Sequence, residues 1–184
     1  MEFKKPNFFL LTLLTLCLQQ NLANADEALF RQLGVKAIKP VAAPALSLPT
    51  QSGETFAASN LKGQLILVNF WATWCSPCLT EMPALNRLYT KYKDQGFTLL
   101  AVNTDSHKTK RINTIVRKLK LEFPILLDKD GELSQQFNVS GMPASFLIDQ
   151  DNQLIAYIEG ARDWDGKVAH QLVEHLLSQK VSAH

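Results

Sequence analysis

Two short apolar runs constrain this chain more than any other feature: Leu65 to Phe70 (LILVNF) and Phe97 to Val102 (FTLLAV). Both are rich in strand formers, and the first reads as a central strand buried on both faces. Between them Leu79, Met82, Leu85, Leu88, Tyr89 and Tyr92 recur at helical spacing and stop near Gly96. A second amphipathic helix follows, because Ile112, Ile115, Val116 and Leu119 repeat at i, i+3, i+4 and i+7. Phe123 to Leu127 reads as a further strand, Glu132 to Phe137 as a short helix, and Ser145 to Asp149 with Leu154 to Glu159 as a hairpin. A last helix is expected from about Asp165 to Gln179. Strands alternating with helices and closed by a hairpin predict an α/β sandwich around a central mixed sheet flanked by helices.

The N-terminal end follows different rules. Lys4 and Lys5 precede Phe8 to Leu18, an apolar stretch of 11 residues, and Ala23-Asn24-Ala25 supplies a small-x-small site. That order reads as a cleavable secretory signal over 1–25. The stretch is shorter than the roughly 20 residues of a membrane-spanning helix, so an uncleaved anchor is the rival reading and the only route to a membrane. Cys17 does not mark a lipoprotein, since Leu16 stands where that signal has a small residue. Residues 26–40 read as a linker or short helix. Residues 41–184 read as one domain, with Pro40 to Phe56 forming a small hairpin. A formal charge of +2 over 184 residues gives no reason to expect nucleic acid as a partner.

The chemistry sits where the first buried strand hands over to a helix, in NFWATWCSPCLTEMP, Asn69 to Pro83. Cys75 and Cys78 could be half of a metal site, a structural staple or a reacting dithiol. Zinc wants four ligands, and none of His107, His170, His175 and His184 falls within 25 residues of either cysteine. A Sco-like copper carrier has one more residue between its cysteines and a partner histidine. As a staple the pair is weak: closing a four-residue loop removes only about 2 kcal/mol of unfolded-state entropy. As a dithiol it is well placed. At the start of a helix, a sulfur meets unpaired N–H groups and the positive end of the macrodipole, which favour thiolate. Pro77 is tolerated in a first turn. No other cofactor and no metal is needed.

These residues resemble the thioredoxin superfamily, in particular its exported TlpA/ResA-like branch, which includes the cytochrome c maturation thioredoxins. The motifs that carry the resemblance are VNFWATWCSPC at Val68 to Cys78, Glu81 and Pro83 beyond it, and GMPASFLID at Gly141 to Asp149. The resemblance implies a thioredoxin-like fold with an N-terminal β-hairpin and an extra helical insert over Asp105 to Leu121. It implies that Cys75 attacks, that Cys78 resolves, and that the two cycle through a disulfide. Trp74 would shield the site or simply pack. Pro143 would be cis, leaving Met142 beside the sulfurs to meet substrate or to fill core. Thioredoxin's buried carboxylate falls on Asn69, and the branch instead places an acid at Glu81, to deprotonate Cys78 or else to sit solvated on the helix. The expected partners are client proteins with disulfides and a membrane thiol reductant of the DsbD type, with electrons flowing towards the client.

Two other functions fit parts of the pattern. A peroxiredoxin-like peroxidase shares the fold, but its threonine falls on Ala72 and its proline on Val68. A non-catalytic binding module of the same fold is the second. The insert carries Lys108, Lys110, Arg111, Arg117, Lys118 and Lys120 with no intervening acid, which suits either a solvated face or an acidic partner.

Overall fold

The computed structural model describes residues 27–57, 61, 63–106 and 109–179. The signal segment, Cys17, His107, Lys108 and His184 lie outside them.

Residues 27–33 are helical (α1). The chain continues through β1 (Lys36–Ala42), β2 (Ser47–Pro49), β3 (Thr55–Ala57), β4 (Leu65–Trp71), α2 (Ser76–Tyr92) and β5 (Phe97–Asn103). Then come α3 (Thr109–Leu119), β6 (Ile125–Leu127), α4 (Glu132–Gln136), β7 (Ala144–Ile148), β8 (Gln153–Glu159) and α5 (Lys167–Ser178). Six strands form one sheet in the order β1-β8-β7-β4-β5-β6. β4, β5 and β6 run parallel, whereas β7 and β8 are antiparallel to their neighbours, so the sheet is mixed as expected.

β4 is buried along its whole length, and its alternating side chains build two cores. Leu65, Leu67 and Trp71 join Met82, Leu85 and Leu88 of α2 and Leu172, Val173 and Leu176 of α5. Ile66, Val68 and Phe70 join Leu133, Phe137 and Leu46 on the opposite face. Fully buried leucines such as Leu85 and Leu88 each stabilise the fold by roughly 1.5–3 kcal/mol over an exposed position. α2 ends in a short 3-10 turn, and Gly96 at φ 92° then turns the chain into β5, a conformation that only glycine adopts cheaply.

Residues 27–33 give the short helix expected over 26–40, but the rest of that segment is no linker: Lys36–Ala42 pairs antiparallel with β8, so the sheet begins ahead of Val41. The small hairpin expected from Pro40 to Phe56 forms between β2 and β3, with Ser47 opposite Ala57, as a separate two-stranded sheet. α3 is the helical insert.

Candidate active site

Parallel β4 and β5 end side by side, Trp71 opposite Asn103, and the carboxyl edge they form carries the cysteines. Ala72 accepts a hydrogen bond from the Cys75 N–H at 3.1 Å, which turns the chain into α2. Cys75 is the N-cap of that helix and Pro77 lies in its first turn. Cys75 and Cys78 are joined in a disulfide with an S–S distance of 2.04 Å. The Cys78 backbone N–H donates to Cys75 Sγ at 3.3 Å. The helix N-terminus thus presents its free N–H to the sulfur nearer the surface, the arrangement that stabilises a thiolate. Cys78 is fully buried behind it, while Trp74 projects into solvent at 63% exposure. Trp74 is therefore not core packing.

A second hydrogen-bond cluster fastens the loop ahead of Cys75. The Thr73 backbone N–H donates to Asp105 Oδ2 at 2.7 Å, and Asn103 Nδ2 donates to the same oxygen at 3.0 Å. Asp105 is almost fully buried there, one turn before α3. Arg111 of α3 reaches back to donate from Nη2 to the Thr73 carbonyl at 3.3 Å. The loop thus hangs between two charged groups of the insert.

Glu81 is not a solvated helix carboxylate. It is 4% exposed, and its carboxyl oxygens accept three hydrogen bonds. Asn69 Nδ2 donates to Oε1 at 2.9 Å, and Oε2 takes the Arg162 backbone N–H and Trp164 Nε1, each at 3.1 Å. Asn69 Nδ2 also donates to Ser145 Oγ at 2.9 Å, while Asn69 Oδ1 is buried without a partner among the described residues. Burial holds the Glu81 carboxyl above its usual range, and the three donors pull it back without cancelling the rise. On α2 this acid follows Cys78 by one helical turn.

The Met142–Pro143 peptide bond is cis. Met142 is half-buried against the core, and its Sδ accepts from Thr104 Oγ1 at 3.5 Å, just past the end of β5. Pairing of Phe70 with Ala144 brings Pro143 to the same edge as the cysteines. All six residues expected at the site thus belong to one end of the sheet. Ser145, Arg162, Trp164, Asp105 and Thr73 join them without having been foreseen. Only Trp164 left a sequence signal, since a buried tryptophan needs an acceptor for its indole N–H.

The model of the AhpC/TSA family matches residues 41–157. The chain belongs to that thioredoxin-like family. It is 36% identical over 134 residues to the thiol-disulfide oxidoreductase ResA of Bacillus thuringiensis, covering 73% of this chain and 74% of that one. Among solved structures, a thiol:disulfide interchange protein of the thioredoxin family from Chlorobium tepidum superposes with a TM-score of 0.68 at 27% identity, covering 76% of this chain and 98% of the other. StoA of Bacillus subtilis superposes with a TM-score of 0.59 at 28% identity, covering 74% and 98%. This family member is a thiol-disulfide oxidoreductase of thioredoxin-like fold. No helix among its described residues is long and apolar enough to cross a membrane.

Proposed function

We propose that the enzyme works outside the cytoplasm as a reductant of client disulfides, with Cys75 attacking, Cys78 resolving and Glu81 accepting the Cys78 proton. The observation that carries this reading is the Cys78 N–H on Cys75 Sγ at a helix N-terminus, with a buried, proton-hungry acid one turn beyond. Cys75 thiolate attacks one sulfur of the client disulfide, a mixed disulfide forms, and the first client thiolate leaves. The Glu81 carboxylate takes the Cys78 proton. Cys78 thiolate then attacks Cys75 sulfur, the second client thiolate leaves, and the client has gained the two electrons that the dithiol has lost.

Trp74 and Met142 offer the client an exposed ring and a half-buried thioether beside the sulfurs, and Pro143 shapes that edge. A membrane thiol reductant of the DsbD type would restore the dithiol. The signal-like residues 1–25 support export, and cytochrome c maturation is the pathway suggested by the resemblance. The peroxidase alternative finds little support, because the two positions it needs hold Ala72 and Val68, both apolar and fully buried.

The deciding experiment pairs two variants with one measurement. Cys78→Ser should trap clients as mixed disulfides on Cys75, and Cys75→Ser should trap none. The midpoint potential of the couple should lie well below −200 mV for a reductant, within a family span of about −270 to −120 mV. A value near −120 mV would make the protein an oxidant. Robust hydroperoxide turnover would make it a peroxidase, and an unchanged phenotype for Cys75→Ser would make it a binding module.

A further inference from the structure

The basic insert remains without a role in this chemistry. The segment 109–121 holds five of the chain's 19 basic residues and none of its 17 acidic ones, so all other residues together carry a net formal charge of −3. α3 buries Ile112 and turns Lys110, Arg111, Arg117 and Lys118 to solvent, with Lys120 exposed just past its end. The acids nearest in sequence are already committed. Asp105 is buried against Thr73 and Asn103, and Glu122 pairs with Lys93 at 2.8 Å. Elsewhere surface cations do find carboxylates: Lys36 with Glu159, Arg87 with Asp165 and Lys91 with Glu174. Among the described residues no ion pair involves α3.

The strip is also anchored to the reaction site. Arg111 touches the carbonyl of Thr73, two residues before Cys75, and the exposed Trp74 lies between them in sequence. At 1.5 Å of rise per residue, the cations from Arg111 to Lys118 extend about 10 Å away from that contact. An exposed tryptophan on the loop that Arg111 contacts places an apolar anchor at one end of a cationic strip, and tryptophan and arginine are the residue types that dominate protein-docking surfaces.

We propose that α3 is a docking strip for client proteins whose disulfide is flanked by acidic residues, oriented so that the disulfide arrives at Cys75. The proposal rests on the dithiol reading above and adds to it the kind of client selected. Such a surface acts mainly on the rate of encounter, accelerating opposite charge by 10-fold or more at low salt and losing the effect as salt screens it. Over about 10 Å at physiological ionic strength the field is already weakened, so selection should be strongest in dilute buffer.

The test uses the reduced protein and two synthetic peptides with the same intramolecular disulfide, one flanked by Asp and Glu, the other by Lys and Arg. Neutral hydroxyethyl disulfide serves as the reference. In 10 mM salt the acidic peptide should react about 10-fold faster than the basic one, and the ratio should approach one in 0.5 M salt. A triple variant Lys110→Glu, Arg117→Glu, Lys118→Glu should invert the ratio, and the matching glutamine variant should flatten it. Both should leave the hydroxyethyl disulfide rate and the far-ultraviolet spectrum unchanged. Equal peptide rates at low salt, or an unaltered ratio in the variants, would overturn the docking strip while leaving the dithiol reading intact. Failure to reduce even hydroxyethyl disulfide would overturn both. Tight binding to vesicles of anionic phospholipid, or to a single-stranded oligonucleotide, with no preference between the peptides would assign the cations to that surface instead and sink the proposal.

Discussion

Replacing Glu81 by glutamine should leave the oxidised protein about as stable as wild type at pH 4 and more stable than wild type at pH 8. Burial raises the folded carboxyl above its ordinary value of 4.5. The folded chain then holds that proton more tightly than the unfolded chain does. The Glu81 contribution to wild-type stability is therefore fullest below about pH 4.5 and declines as pH climbs from there through the raised folded value. Glutamine has no proton to lose and shows no such decline. At pH 4 the neutral acid and the amide present the same inventory, one carbonyl acceptor and one donor-bearing arm. The two should then differ by less than about 1 kcal/mol. The Asn69 amide, whose Oδ1 has no partner among the described residues, can turn to accept from the new NH2. The gap that opens by pH 8 measures the hold on the proton, at about 1.4 kcal/mol for each factor of ten. Glu81→Leu is the control. It strands the donors of Asn69, Arg162 and Trp164, at about 1–3 kcal/mol each, and should destabilise at every pH. The assay is urea unfolding at the two pH values, with the difference taken between proteins so that other titrations cancel. A deficit for Glu81→Gln that grows with pH would refute the reasoning. It would mean that the three donors outweigh burial and that Glu81 is a fixed anion, a poor acceptor for the Cys78 proton.

Two further outcomes follow from the neighbouring contacts. Asp105→Ala removes the acceptor of the Thr73 N–H and of Asn103 Nδ2, and should lower stability by about 2–4 kcal/mol in thermal or chemical unfolding; it should also speed alkylation of the loop's reduced Cys75. Gly34→Ala places a methyl group 3.2 Å from Arg162 Nε and Nη2 at φ +69°, so a loss of about 1–2 kcal/mol is expected in the unfolding midpoint.

Much of the fold was legible because its central elements obey simple periods. β4 and β5 are apolar runs buried on both faces, and α2 and α3 show their stripes at helical spacing. β1 left no such mark. Lys36, Lys39 and Pro40 interrupt it, nearly every residue is exposed, and its register slips between Ala37 and Val41. Those are the features by which an edge strand avoids pairing with other chains, and they also erase the alternation from which strands are read. Glu81 lay between these cases. Its position three residues after Cys78 and four before Leu85 puts it on the buried stripe of α2, alongside Met82 and Leu88. The spacing therefore argued for burial, although the residue type argued for solvent. What no spacing could supply was the set of donors that makes burial tolerable, since Asn69, Arg162 and Trp164 meet only when β4, α2 and the turn after β8 close on one another.

That closure has a single hinge in Arg162. Its backbone N–H holds the Glu81 carboxylate, and its guanidinium donates to the carbonyls of Leu33 at 2.8 Å and Gly34 at 3.1 Å, where α1 ends. The last carbonyls of a helix carry the negative end of its dipole, so the cation is well spent there. One residue thus ties the acid behind Cys78 to the first helix of the described chain. A side-chain replacement at 162 keeps the N–H that Glu81 accepts but loses the cap on α1 and the Nη1 bonds to the carbonyls of Gly160 and Ala161, whereas displacement of the 160–164 backbone also loses the N–H. The Glu81 carboxyl consequently responds more to the Arg162 N–H, and so to the path of the turn, than to the guanidinium charge, although both lower its pKa. This explains why the site depends on residues some 80 positions away in sequence that carry no reactive group.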